Sequence, residues 1–125
     1  MKLRIYRNTL RFRLSPADVA QLAGSGWIRE ITRFGVGQEF LCSLQARAGI
    51  EAIRAVLGSN AISVEVPVGM AREWSRSETV GLRHSQPVGD GSSLEIAIEK
   101  DFECRDGSSE EPKEKLYPNP NTSCL

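Results

Sequence analysis

Cysteine and histidine are scarce in this chain: Cys42, Cys104 and Cys124 stand far apart, and His84 is the single histidine. An odd, scattered set of thiols makes no disulfide framework and favours a reducing, cytoplasmic setting. No C-x-x-C or H-x-x-x-H pair occurs, so zinc has no local ligand set, and only a fold that gathered Cys104, Cys124 and His84 could build one. Neither a metal nor a cofactor is expected. Long apolar runs are also missing, which excludes a membrane-spanning helix. The opening Met1-Lys2-Leu3-Arg4-Ile5 alternates charge with apolar residues where a secretion signal needs an unbroken apolar stretch, so no cleaved leader is expected.

Net charge of one sign is absent as well, since 16 Lys and Arg balance 16 Asp and Glu. The charges are unevenly placed, however. Bases crowd the first part and acids dominate the end, from Glu99 to Glu114. Dispersed charges of this kind read first as complementary surfaces of one fold and second as a polyanion site. With 125 residues, 40% hydrophobic and 26% charged, the chain has the size and composition of one globular domain.

Alternating Leu3 and Ile5, then Leu10, Phe12 and Leu14, on either side of Arg7-Asn8-Thr9 predict a β-hairpin with one buried face. Ser15-Pro16-Ala17-Asp18 is a helix start, with a serine cap, proline at the first helical position and an acid in the first turn. The helix carries Val19, Leu22 and Ala23 and stops at Gly24-Ser25-Gly26. Segments 27–32 and 39–45 then form a second hairpin with Phe40, Cys42 and Leu44 on one face.

The same order recurs from about residue 52: strands 53–57 and 62–66, a short helix over 67–75 with Val68, Ala71 and Trp74, and strands 80–84 and 94–99. Asn8 to Leu14 matches Asn60 to Val66 in pattern, Leu22 falls where Trp74 does, and Phe40, Cys42 and Leu44 correspond to Leu94, Ile96 and Ile98. The expected fold is α+β, a mainly antiparallel sheet or barrel from a duplicated β-β-α-β-β unit with two short helices. One domain is expected over 1–104, with repeats at about 1–46 and 52–100. Each half has a helix too short to cover its sheet, so the halves must complete one another by face-to-face packing or barrel closure. Residues 105–125 read as a polar tail in which Leu116-Tyr117-Pro118 is apolar enough to dock back.

Chemistry-bearing patterns are weak. Cys42 belongs to an inward strand face, and Cys104 follows an acidic run that disfavours a thiolate. Glu95 and Glu99 share the outward face of their strand, where solvated charge is the commoner reason for such spacing. The glycines at Gly35, Gly37, Gly89 and Gly91 serve matching hairpin loops rather than phosphate cradles. Lys2, Arg4, Arg11 and Arg13 share one face of the first hairpin and could grip phosphates, with Glu65, Glu95 and Glu99 as natural counter-charges if the sheet is continuous.

Leu10-Arg11-Phe12-Arg13-Leu14-Ser15, Gly26-Trp27-Ile28, Val80-Gly81-Leu82, Glu99-Lys100-Asp101-Phe102-Glu103-Cys104 and Tyr117-Pro118-Asn119-Pro120 together resemble an uncharacterised bacterial family of small proteins. That resemblance implies organisation over nearly the whole chain and no assigned activity. The leading expectation is a non-enzymatic cytoplasmic domain acting through protein contacts, with Lys100, Asp101, Phe102 and Cys104 as the contact point. The alternative is a binder or hydrolase of nucleotides or nucleic acid using Lys2, Arg4, Arg11 and Arg13. The sequence leaves the oligomeric state open.

Overall fold

A computed structural model describes residues 1–102 and 116–118. Cys104, Cys124 and most of the 105–125 segment lie outside the described residues. Ten elements follow in the order β1 (Lys2–Tyr6), β2 (Thr9–Leu14), α1 (Pro16–Ser25), β3 (Trp27–Gly35), β4 (Gln38–Arg47), β5 (Arg54–Gly58), β6 (Ala61–Pro67), α2 (Val68–Arg76), β7 (Gly81–Pro87) and β8 (Ser93–Lys100).

The strands form two four-stranded sheets, ordered β1, β2, β8, β7 and β3, β4, β6, β5. The halves thus neither face each other as separate sheets nor close into a barrel. They interleave, each giving one hairpin to each sheet, because both helices are crossovers that carry the chain from one sheet to the other. The two central ladders, β2 with β8 and β4 with β6, are parallel; all hairpin pairings are antiparallel.

The two central parallel ladders have matching registers. Leu10 opposes Ile96 and Phe12 opposes Ile98, just as Ile62 opposes Cys42 and Val64 opposes Leu44. These side chains, with Leu14, Ile28, Val66, Leu22, Ala71 and Trp74, form one buried cluster between the sheets and under the helices. Leu22 and Trp74 occupy equivalent positions, and each is its helix's largest buried side chain.

Local signals act where the sequence places them. The Ser15 hydroxyl accepts from the Asp18 amide at 3.1 Å and the Asp18 carboxylate accepts from the Ser15 amide at 2.9 Å, a reciprocal cap on α1. Gly26 closes that helix at φ +86°, a conformation glycine adopts without Cβ strain. At one open corner the Gln86 side chain donates to the Ala55 carbonyl at 3.0 Å and accepts from the Ala55 amide at 2.7 Å, tying β7 of one sheet to edge strand β5 of the other. Among the described residues, no helix is long and apolar enough to cross a membrane.

Candidate functional site

The expected basic face lies on the outside of the first sheet, but it is not an open cationic surface. Arg11 is only 4% exposed, and its Nε is 3.4 Å from the Glu99 carboxylate. Arg13 stands 3.8 Å from the same carboxylate oxygen, and Arg83 donates to the other oxygen at 3.2 Å. Glu99 is therefore the hub of this face. Lys2 pairs with Asp101 at 3.0 Å, and Arg4 lies opposite Arg11 on the neighbouring edge strand.

Glu65 would be a counter-charge for these arginines only in one continuous sheet, and β6 belongs to the other sheet. There Glu65 is buried beneath Arg47 and Arg54, with Arg54 Nε at 2.5 Å. The hydrogen bonds from Arg54 and then Arg47 hold its carboxyl below the usual carboxylate range. Glu95 accepts from the Ser85 hydroxyl at 2.7 Å.

Gly81 explains how Glu99 can lie across its sheet. The two residues are cross-strand partners, and a Cβ at Gly81 would meet Glu99 Cγ and the Ile98 carbonyl at 3.0 Å. The missing side chain is the room for the carboxylate arm. Cys42 is buried, and burial, with a smaller contribution from Glu30, pushes its thiol up to about 11, so it is a core residue rather than a nucleophile. His84 is half-buried beside the Gln86 bridge. Among the described residues no group of three His, Cys, Asp or Glu could hold a metal ion.

The other predicted contact point leads to a groove. β8 ends with Lys100, and Asp101 continues its pairing by donating to the Leu14 carbonyl at 2.8 Å. Lys100 Nζ donates to the Ser77 carbonyl at 2.5 Å and sits 5.3 Å from the Trp74 ring, so its charge is turned toward the end of α2. Phe102 follows, 49% exposed. These three residues border a groove of about 380 Å³ whose other wall is α1, through Pro16, Val19, Ala20 and Ala23.

That wall was legible and was missed. Pro16, Val19, Ala20 and Ala23 follow the i, i+3, i+4, i+7 spacing of an apolar stripe, beside the stripe whose centre is buried Leu22. The second half of the chain supplies a control, because the positions of α2 that match by pattern are Val68, Ala71, Arg72 and Ser75. The second apolar stripe of α1 is thus interrupted at the matching positions of α2 by Arg72 and Ser75.

A two-sheet, interleaved α+β domain with charge clusters on both outer faces and one apolar groove at its helical end defines the class. The chain belongs to the family of unknown function DUF7009, whose family model matches residues 1–121. No curated protein matches the chain. No solved structure matches it either.

Proposed function

We propose that the domain works through protein contacts, with the groove between α1 and the 100–102 segment as its docking place. The observation that carries this reading is the apolar stripe of α1, largely exposed beside the stripe whose Leu22 already fills the core. A partner suited to it presents one or two large apolar side chains in an extended segment. Cytoplasmic residence is consistent with the scattered cysteines and the buried Cys42 thiol. The matching registers of the halves support an origin by duplication, and bacterial origin is part of the same proposal.

Selection of displayed peptides on the full-length protein tests the reading. Binders are expected to carry a bulky apolar residue and to lose about tenfold or more in affinity on Ala20→Arg, while Arg13→Glu leaves them unchanged. Binders indifferent to Ala20→Arg would sink the idea.

A second reading draws on the outer face of the first sheet, where Lys2, Arg4, Arg11, Arg13 and Arg83 outnumber Glu95, Glu99 and Asp101. It predicts salt-sensitive stabilisation by triphosphate or a short oligonucleotide. A thermal shift that Arg13→Glu abolishes would favour it; no shift with either ligand would count against it.

A further inference from the structure

We infer that the groove's first occupant is this chain's own segment Leu116-Tyr117-Pro118. The inference rests on the docking reading of the groove and adds a regulator to it. Three observations converge. First, the domain ends at the groove: Phe102 is both its border and the residue from which the rest of the chain departs. The connection over 103–115 could extend to about 45 Å, ample to return to its own starting point.

Second, Leu116 and Tyr117 are 81% and 97% exposed, and they are the large apolar residues nearest the groove along the remaining chain. In their present position they leave apolar surface in water, and burial against Val19, Ala20 and Ala23 removes it. The family match supports a shared role for this segment, because it extends to residue 121 and so spans the connection and the apolar triplet. Third, the charges suit the approach. Glu103, Asp106, Glu110, Glu111 and Glu114 outnumber Arg105, Lys113 and Lys115 in the connection, while α2, which borders the groove at Ser75, exposes Arg72 and Arg76 against Glu73.

A tether of this length supplies an effective concentration on the order of millimolar, so even a weak intrinsic contact occupies the groove much of the time. An outside segment must then compete with Tyr117. Its apparent affinity is lowered by the fraction of molecules whose groove is filled.

The experiment uses the full-length protein and the Tyr117 ring resonances. Ring-to-methyl cross-peaks from Tyr117 to Val19, Ala20 or Ala23 are expected, unchanged on tenfold dilution. Ala20→Arg should return the Tyr117 resonances to those of an isolated 113–121 peptide. Tyr117→Ala should shift the Ala20 and Ala23 methyls and tighten binding of groove-selected peptides roughly five- to tenfold. Tyr117 resonances that match the isolated peptide in the parent protein overturn the inference, and so do cross-peaks that vanish on dilution, which assign the occupant to a second copy. The two ideas fail separately. Peptides blocked by Ala20→Arg but indifferent to Tyr117→Ala leave the docking reading standing alone. Tyr117 cross-peaks without any groove-selected peptide leave only the intramolecular contact.

Discussion

On the second sheet the buried carboxylate is Glu65 of β6, closed over by Arg47 and Arg54 from the strands on either side. On the first sheet the equivalent position holds Arg13, and the carboxylate, Glu99, stands one strand away, where the second sheet has Gln45. The inward faces of these same strands match apolar for apolar. Burial dictates the inward positions one by one, whereas the outward positions obey a looser condition: a carboxylate must have guanidiniums within reach, and either central strand can supply it.

The two clusters also differ in what surrounds the carboxylate. Arg47 and Arg54 are half-exposed and can turn to water, but Arg11 is buried against Glu99. The largest effect is expected from acid, which acts on several carboxylates at once. Glu65 is held low by its arginines. Asp18 is also held low: burial alone would raise it, but hydrogen bonds from the Met1 ammonium and from Ser15 outweigh that effect.

As the pH falls through about 4, the unfolded chain takes up protons that these folded carboxylates still refuse, so stability drops in that window and is lost below the lowered folded values. Urea midpoints between pH 7 and pH 3 should fall accordingly, with a shallower slope in Glu65→Gln. A slope equal to that of the parent would deny Glu65 its part.

Next, Glu99→Gln should cost about 2–4 kcal/mol at pH 7, because it leaves Arg11 buried without its carboxylate. Glu65→Gln should cost only about 1–2 kcal/mol, its half-exposed arginines being resolvated. The reverse order, read from denaturant midpoints, would show that the depth of the arginine does not set the penalty. Gly81→Ala should cost about 1–2 kcal/mol by crowding Glu99 and the Ile98 carbonyl; in a Glu99→Ala background the part of that penalty due to the Glu99 side chain should disappear. The smallest change has the opposite sign. Gly69 lies in α2 with open space around its missing Cβ, at the position where α1 has Ala17, and Gly69→Ala should stabilise by about 0.5–1 kcal/mol.

The strands, both helices and the correspondence of Phe40, Cys42 and Leu44 to Leu94, Ile96 and Ile98 were legible because burial on one face leaves a period in the sequence. The interleaving was not. Whether a helix returns its chain to the same sheet or crosses to the other depends on packing between elements far apart in sequence, and no local pattern records it. The burial of Arg11 was hidden for the same reason: alternation gives an outward side chain its direction, but not what its neighbours drape over it. The groove was half visible. Lys100, Asp101 and Phe102 mark one wall, while the α1 stripe went unread because its alanines are small and Leu22 already accounted for an amphipathic helix.

The crossover of both helices has one further consequence. Cut within residues 48–52, the chain would yield two fragments with four strands and one helix each, every fragment holding a strand pair for both sheets and a complete sheet in neither. Neither fragment could satisfy its central strand edges alone, and the natural mate for those edges is the other fragment. The smallest body of this architecture is thus a pair of half-chains, and the peptide link between them sets their ratio at one to one.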